Sequence, residues 1–523
     1  MKIITYLFLL LFFIISANDK VVGQTTPDKI KFIRQGVRRI IFDKSQRIPL
    51  VYFNPAKVVG LDIMHPPVGE QKNNPKLSIE KGALFISADK PATVTRWLGG
   101  FNAFATYDLV INKFSGSGEN GLLFKDPQSE SYISVHLVAK QGEHQAVSCI
   151  IGKEGQEVEK FDFVVPVKLI DESPVTLRVQ MLAVGANVYL EQHEQTTLIG
   201  RFDFVKHFDL RKKDLMRSFE FCLDAKLAAG ASIEIVEASA YISPGMGQAD
   251  LRMVTYEDGS PYFYNEKLWI LITVRGGGLP HPMQGVYSLN PSVFDIQFEG
   301  IILYDRGDGL FRNELASNIF YDREAKEWRG FTTGFSSYGD PDKKERKEIL
   351  AVSSSKMPLQ GISIMKAKSI GLIANYEDPQ CIYDAEVGKW RMLLCEAHDG
   401  YKAVLRESDT WDGDYKVIAG PISINSTGTQ LQKIGGKYYV FFGSSQRKIF
   451  IYSYPGLKLF GEVDVQRPPW DDKINTRIWP NIIALPEGYP SPYIALMMDR
   501  NNFPGMKGAN WTYGALYLYH GYD

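Results

Sequence analysis

A short turn followed by an aromatic residue recurs five times in the second half of the chain, and this recurrence restricts the fold strongly. The aromatic residues are spaced by 59, 62, 48 and 55 residues, and they are Trp269, Trp328, Trp390, Tyr438 and Tyr493. Repeats of about 40 to 50 residues with several strands each are typical of propeller blades, and a longer period indicates added loops. Residues 245–523 are therefore predicted to form a five-bladed β-propeller.

Two of these repeats open with the same triplet, Tyr256-Glu257-Asp258 in the first and Tyr376-Glu377-Asp378 in the third. Because the innermost strand of each blade lines the central channel, we expect Asp258 and Asp378 to face one axial pocket. Burial and mutual repulsion separate the pKa values of neighbouring carboxyl groups, as acid–base chemistry requires. Alternatively, each aspartate caps a turn by accepting hydrogen bonds from backbone N–H groups.

The preceding region, from Leu77 to Ile242, alternates apolar and polar residues and almost lacks helical periodicity. This pattern predicts an antiparallel β-sandwich. Its strand order around the turn at Val184-Gly185-Ala186-Asn187 resembles the concanavalin-like or laminin-G-like jelly rolls that accompany many carbohydrate-active enzymes. Residues 24–244 are therefore predicted to form a sandwich with a lead-in segment. We expect the sandwich to brace the propeller, with sugar binding as the alternative.

The N-terminal residues and the net charge restrict where the protein is expected to be located and what it is expected to bind. Residues 1–23 combine a lysine, an apolar run and small residues, which predicts a signal peptide too short to span a membrane. No cysteine lies near the cleavage site, so we expect a periplasmic or secreted monomer without a lipid anchor. The formal net charge of −1 and the lack of a basic block argue against nucleic acid.

Four cysteines are present, and their spacing matches no zinc motif. We therefore expect neither a metal nor a cofactor. Cys381 and Cys395 are equidistant from Gly388, so they could face each other across a hairpin and form a disulfide in an oxidising compartment. Two buried thiols are the other possibility.

The blade openings Glu257-Asp258-Gly259-Ser260-Pro261 and Glu377-Asp378-Pro379-Gln380 resemble those of five-bladed propeller glycosidases, the group of arabinanases, arabinofuranosidases, β-xylosidases and invertase-type fructosidases. The resemblance implies a catalytic propeller. It also implies that Asp258 is the nucleophile or base and that Asp378 stabilises charge and adjusts pKa values.

The chain departs from that family pattern where the general acid is expected. The opening after Asp378 is Asn425-Ser426-Thr427-Gly428-Thr429, which has no carboxylate. Glu314, at the opening of the second blade, is therefore our first choice for the acid, with Glu396 as the alternative. Further residues at the openings and strand ends are predicted to bind substrate, namely Tyr256, Arg275, Glu396, His398 and Arg500.

These features together predict an exported exo-glycosidase that acts on polysaccharide side chains, such as pectic or arabinose-containing plant glycans. Arg275, His398 and Arg500 would suit an acidic sugar, because a guanidinium pairs with a carboxylate in a fork. Two alternatives stay open. The missing carboxylate favours a non-catalytic glycan-binding protein, and the tyrosines Tyr256 and Tyr376 near basic residues favour a polysaccharide lyase.

Overall fold

The computed structural model describes residues 25–58, 73–166, 173–275, 282–336, 344–466, 479–498 and 515–523. Within these ranges the regular elements are strands, apart from one α-helix, Lys213–Ser218, and three short 3-10 turns, Pro27–Lys29, Lys44–Gln46 and Pro55–Lys57. The all-β prediction is confirmed. The expected signal segment, residues 1–23, lies outside the described residues.

None of the helices in the described ranges is long and apolar enough to cross a membrane.

Two antiparallel sheets form the sandwich. Sheet I has six strands, in the order Gln156–Val164, Glu143–Lys153, Ser131–Lys140, Gly118–Asp126, Glu220–Leu227 and Ala92–Gly100. Sheet II runs Gln195–Asp203, Gly185–Gln192, Val175–Met181, Thr106–Ser115, Ala231–Ile242, Ala83–Ala88 and Lys76–Glu80, and Ile48–Phe53 also pairs with Ala231–Ile242. Alternate residues of each strand face the other sheet.

The sandwich core is aromatic as well as aliphatic. Tyr107 of sheet II packs its ring edge-on against Phe124 of sheet I, with centroids 4.8 Å apart, and both side chains are fully buried. Such edge-to-face contacts add to the burial of apolar area that holds the sheets together. This packing leaves the other face of sheet I turned outwards.

The second half of the chain forms five blades of four antiparallel strands, whose first strands follow one another around a central axis. Blade 1 consists of Gln248–Met253, Lys267–Val274, Met283–Asn290 and Asp295–Asp305. Blade 2 consists of Leu315–Asp322, Glu327–Thr333, Glu348–Ser354 and Gly361–Ile373. Blade 3 consists of Tyr376–Asp384, Lys389–His398, Gly400–Ser408 and Lys416–Ala419, and blade 4 of Thr427–Ile434, Lys437–Gly443, Ile449–Ser453 and Leu459–Glu462.

Blade 5 is completed by the N-terminal strand. Its strands are Ile482–Ala484, Tyr493–Met498, Leu516–Tyr522 and Lys31–Arg38, the last pairing antiparallel with Leu516–Tyr522. The N-terminal lead-in is thus divided between the propeller and sheet II rather than packed on the sandwich alone. The physical reason is that Leu516–Tyr522 would otherwise present an unpaired edge.

Short additional strands join neighbouring blades. Thr255–Tyr256 pairs in parallel with blade 2, Phe263–Tyr264 extends blade 1, and Asp464–Val465 pairs in parallel with Lys31–Arg38. The fourth strands of blades 1 and 2 also pair in parallel, from Gly300 with Gly361 onwards.

The five repeated aromatic residues occupy equivalent places in these blades. Each lies near the start of the second strand of its blade, as the repeat predicted, and they are Trp269, Trp328, Trp390, Tyr438 and Tyr493. There they pack against other aromatic side chains of the same or the neighbouring blade. The ring of Trp328, for example, lies 5.0 Å from that of Tyr262. The repeat therefore marks the hairpin between the first and second strands.

The sandwich and blade 1 share polar as well as apolar contacts. Gln46 donates through Nε2 to the Ile296 carbonyl at 3.3 Å and accepts from the Phe298 N–H at 2.6 Å. Phe42 donates its N–H to the carbonyl of Gly245 at 2.8 Å. Because these polar groups find partners across the junction, the sandwich and blade 1 pack on each other without losing hydrogen bonds.

Candidate active site

The first strands of blades 1 to 4 begin in the same unusual way. Each shifts its pairing register early, around a residue with left-handed backbone: Asp250 at φ 54°, Ala316 at 53°, Asp378 at 58° and Gly428 at 60°. A residue other than glycine is strained in this conformation. We call this end of the axis, where first strands begin, the entry end, and the opposite end the exit end.

Side chains two residues after each bulge join neighbouring blades. Three are amides whose oxygens accept a backbone N–H of the next blade: Asn318 from Cys381 at 2.9 Å, Gln380 from Leu431 at 2.9 Å, and Gln430 from Ile482 at 2.8 Å. These bonds satisfy backbone N–H groups of the next blade's first strand, which is the edge of its own sheet. They also fix the spacing of the blades around the axis.

In blade 1 the corresponding position holds Arg252, whose side chain is almost fully buried. Its Nη1 donates to Gln380 Oε1 at 3.2 Å and to the Thr429 carbonyl, and its Nη2 donates to the Asp378 carbonyl at 3.4 Å. Burial lowers the pKa of Arg252 to about 10, while the charges of Asp378 and Asp250 oppose the shift. The guanidinium therefore lies on the axis, close to two carboxylates.

The Asp378 carboxylate is held by donors from two blades. Its Oδ2 accepts from the Gly428 N–H at 3.3 Å, Thr427 Oγ1 at 3.5 Å and the Cys395 thiol at 3.6 Å. Asp378 is only 6% exposed. Donors from two blades on one oxygen fix the orientation of this carboxylate.

Asp250 occupies the same bulge position in blade 1 and is 4% exposed. Its N–H donates to Met498 Sδ of blade 5 at 3.2 Å. The next carbonyl, that of Leu251, accepts from Trp479 Nε1 at 2.6 Å and from Asn481 Nδ2 at 2.9 Å. Sequence analysis missed Asp250, although the segment Ala249-Asp250-Leu251 directly follows the predicted boundary.

Asp258 lies at the exit end, which corrects its expected place beside Asp378. Its carboxylate accepts from the Ser260 N–H at 2.9 Å and from Ser260 Oγ at 2.5 Å, and it pairs with Arg323 at 2.7 Å. Burial raises the pKa of Asp258, but the bonds from Ser260 and Arg323 outweigh it and the net pKa is lowered. Asp258 therefore caps a turn, as the alternative interpretation held.

The contacts of the residue before Asp258 show how far Asp258 lies from Asp378. Tyr383 donates its N–H to the carbonyl of Glu257 at 2.6 Å, and Tyr383 follows Asp378 by five residues in one strand. At about 3.3 Å per residue the two aspartates are roughly 16 Å apart along the axis. Tyr256 lies at the exit end too, with the Arg323 guanidinium 4.6 Å above its ring.

Glu314 begins blade 2 and is fully buried. Its two oxygens accept from Ser336, Oε2 from the N–H at 2.9 Å and Oε1 from Oγ at 2.7 Å, and Arg306 lies 3.9 Å away. Burial raises the pKa of Glu314 despite these contacts. Its described partners belong to blades 1 and 2, whereas the carboxylate of Asp378 is held from blades 3 and 4.

Arg275 lies in the junction between sandwich and propeller, which corrects its expected place at the axial pocket. It is fully buried, and it donates to the carbonyls of Ser243 at 3.0 Å and Met181 at 3.3 Å. Burial lowers the pKa of Arg275 to about 9. The reason is that the second strand of blade 1 ends against the sandwich rather than at open solvent.

Glu396 and His398 lie at the entry end of blade 3. Glu396 accepts from Arg406 at 3.0 Å and lies 3.6 Å from His398, and the Arg406 guanidinium stacks 5.1 Å from the Tyr376 ring. The neighbouring Glu377 is paired with Lys347. Arg500 lies outside the described residues.

The cysteines are all free and buried. Cys381 contacts the Tyr415 hydroxyl at 3.3 Å, whereas Cys395 points to Asp378. They do not form the disulfide that sequence analysis considered. The described ranges contain no group of three or more His, Cys, Asp or Glu side chains arranged for a metal ion.

The comparisons with known proteins give weak structural likenesses. No protein-family model and no curated protein matches the sequence. A thermostable family-43 glycoside hydrolase is 13% identical with a TM-score of 0.36, over 53% of this chain and 89% of that one. The metal-free carbohydrate recognition domain of Emp46p is 15% identical with a TM-score of 0.26, over 38% of this chain and 98% of that one.

A third likeness is to the carbohydrate-binding module CBM66 from Bacillus subtilis, which is 14% identical with a TM-score of 0.23, over 33% of this chain and 99% of that one. Scores this low carry no argument about activity.

Proposed function

We propose that the protein is a glycoside hydrolase whose active site lies at the entry end of the propeller, around Asp250, Arg252 and Asp378. One observation carries the proposal: two aspartates occupy the same strained bulge in blades 1 and 3, and both are close enough to one buried guanidinium for their charges to act on it. Strained backbone and buried charge cost stability, and such costs concentrate at functional sites. We further propose that the protein is exported, because its first 23 residues have the pattern of a signal peptide.

The two aspartates are proposed to have different roles. Asp378 is held by three donors through one oxygen, and a fixed carboxylate suits a residue that stabilises the developing positive charge on a sugar ring. Asp250 then serves as the base or nucleophile. Arg252 fixes the backbone of Asp378 through that residue's carbonyl, and its positive charge attracts both carboxylates.

The general acid has to come from another entry-end carboxyl. Glu314 has the property that this role requires, because burial raises its pKa. Glu396 and Glu377 are also at this end, but Glu396 has a closer basic partner, Arg406 at 3.0 Å against 3.9 Å for Arg306 at Glu314, and Glu377 is paired with Lys347. We therefore keep Glu314 as the proposed acid, with Glu396 as the alternative.

The substrate is proposed to be a polysaccharide side chain, such as a pectic or arabinose-containing glycan. The support for an acidic sugar is reduced, because Arg275 is buried in the domain junction. The lyase alternative is not supported either, since Tyr256 lies at the exit end, far from Tyr376 and His398.

A product screen tests the proposal. Purified protein is incubated with pectic and arabinose-containing polysaccharides, and released sugars are identified by chromatography. Wild type should release sugars, Asp250→Asn and Asp378→Asn should not, and Asp258→Asn should remain active as the matched control. Equal product release by Asp250→Asn and wild type would contradict the proposal.

A non-catalytic glycan-binding protein is the second candidate. It is favoured by the engagement of each described entry-end glutamate with a partner, and by Ala316 and Gly428 at two of the four bulge positions. In that case wild type binds the polysaccharide without releasing sugar. Asp250→Asn would then weaken the binding without any change in products.

A further inference from the structure

Sheet I of the sandwich carries a cleft of about 440 Å³ on the face that turns away from sheet II. Three adjacent strands form it, Gly118–Asp126, Ser131–Lys140 and Glu220–Leu227. Packing of the sandwich requires only that the inner face be apolar and complementary. A cleft on the outer face, with charged and polar side chains in its lining, has no part in that packing and needs another explanation.

The floor of the cleft is a buried pair of polar side chains. His136 is only 1% exposed, its Nε2 lies 3.0 Å from Asp224 Oδ2, and its Nδ1 lies 3.7 Å from Glu119 Oε2. Thr95 donates its hydroxyl to the other oxygen of Asp224 at 2.5 Å. Burial raises the pKa of Asp224, but the contacts with His136 and Thr95 outweigh it and the net pKa is lowered. The floor thus presents a charged acceptor beside an imidazole.

An aromatic ring forms one wall. Tyr132 lies across Gly152 of the neighbouring strand, so closely that a Cβ on that glycine would sit 1.9 Å from the ring. Glycine at residue 152 is therefore what allows the tyrosine to lie flat along the sheet. Trp97, on Ala92–Gly100 and on the same outward face of sheet I, is 52% exposed and lies across the cleft from Tyr132.

We propose that this cleft binds a neutral saccharide unit. A sugar needs donors and acceptors side by side for its hydroxyl groups, with an apolar surface for its C–H face, and Lys226, Asp224 and Tyr132 offer this combination. The charged lining contains two lysines and three carboxylates, namely Lys125, Lys226, Asp126, Glu130 and Asp224. It lacks the cationic excess that would select a uronate. The inference does not depend on catalysis in the propeller.

Affinity electrophoresis of the full chain tests the proposal. Native gels contain soluble arabinogalactan, arabinan or xylan as neutral probes, or polygalacturonate as the acidic probe. The protein carries Asp250→Asn in every lane, so that turnover does not consume the probe. We expect retardation by at least one neutral probe, and a loss of affinity of about tenfold in Tyr132→Ala, as is typical when a ring contact and a hydrogen bond are removed.

Two further variants serve as controls for the loss of the aromatic ring and for unrelated changes on the same sheet. Tyr132→Phe retains the ring and should recover most of the affinity, and Lys160→Ala, on the same sheet but outside the cleft, should bind as strongly as the parent. Thermal melts establish that Tyr132→Ala is folded. Three results would overturn the proposal: no retardation by any neutral probe, equal retardation of Tyr132→Ala and its parent, or retardation by polygalacturonate alone.

Discussion

The two ends of the propeller axis contain the same kinds of residue in opposite environments. At the entry end, Arg252 is 1% exposed and lies among Asp378, Asp250 and buried carbonyls. At the exit end, Arg323 and Asp258 form an ion pair whose side chains are 48% and 41% exposed. Charged groups held out of water have strong and directional interactions, whereas exposed pairs have weak ones. Burial rather than residue type therefore separates the proposed site from a surface turn.

The largest expected difference is between two aspartate-to-asparagine changes. Asp250→Asn at the entry end should lower kcat by about 10²- to 10⁴-fold or more, because it removes the group that exchanges the proton. Asp258→Asn at the exit end should leave kcat within about threefold of wild type, since its carboxylate only caps a turn. Initial rates on the polysaccharide found in the product screen measure both; equal losses would remove the distinction.

The second-largest expected difference is between the stabilities of two variants, one at the buried arginine and one at the exposed arginine. Arg252→Met leaves the carbonyls of Asp378 and Thr429 and two carboxylates without their cation, so the free energy of unfolding should fall by about 3 to 5 kcal/mol. Arg323→Met breaks an exposed ion pair and should cost less than about 1 kcal/mol. Urea unfolding of both variants measures the difference. A smaller loss in Arg252→Met than in Arg323→Met would contradict our description of the axis.

Much of the fold could be predicted from sequence, because it rests on repeated apolar and aromatic positions. The residues Trp269 and Trp390 mark equivalent second strands, as predicted. The site could be predicted less well. Asp258 lies 11 residues before Trp269, and Asp378 lies 12 before Trp390, so spacing paired them, whereas Asp250 lies 19 residues before Trp269. Blade 1 has extra residues in its exit-end turn, and spacing alone cannot reveal on which side of a strand an insertion lies.

Two glycines with left-handed backbone allow a finer comparison. A Cβ at Gly428, at the entry end, would lie 2.4 Å from the Trp479 ring, whereas one at Gly388, in an exit-end turn, meets its nearest atom at 3.9 Å. Gly428→Ala combines backbone strain with overpacking and should cost about 2 to 5 kcal/mol. Gly388→Ala has the strain alone and should cost about 1 to 2 kcal/mol. Denaturant midpoints check the order, and equal costs would show that Trp479 moves aside freely.

The smallest expected effect is a pair of opposite pH dependences. The folded pKa of Glu314 is raised, so the folded state binds the proton more tightly. Its contribution to stability is therefore lost as the pH rises above about 4.3, its value in unfolded chains. Relative to Glu314→Gln, wild type should thus lose stability as the pH rises from about 4.3 through the folded pKa of this group.

Asp258 should show the reverse. Its folded pKa is lowered, so its contribution is present above about 3.9 and is lost as the pH falls through the folded value. Wild type should therefore lose stability relative to Asp258→Asn only in acid. Unfolding curves at a series of pH values measure both slopes, and slopes of the same sign would contradict the assigned environments.

The cleft of sheet I shows a second limit of sequence reasoning. Alternation predicted which residues of Ser131–Lys140 face outwards, but outward residues are expected to be solvated. His136 instead lies 1% exposed beside Asp224, a partner 88 residues away in the sequence. Strand pairing creates that contact, and a pattern within one strand carries no information about it.

The most direct test of the central claim is to locate a bound oligosaccharide in a crystal structure of the Asp250→Asn variant. The oligosaccharide should be a substrate identified in the product screen. We expect density at the entry end of the axis, within hydrogen-bond distance of Asp378 or residue 250. Density at the exit end against Tyr256 and Asp258, with the entry end empty, would contradict the claim.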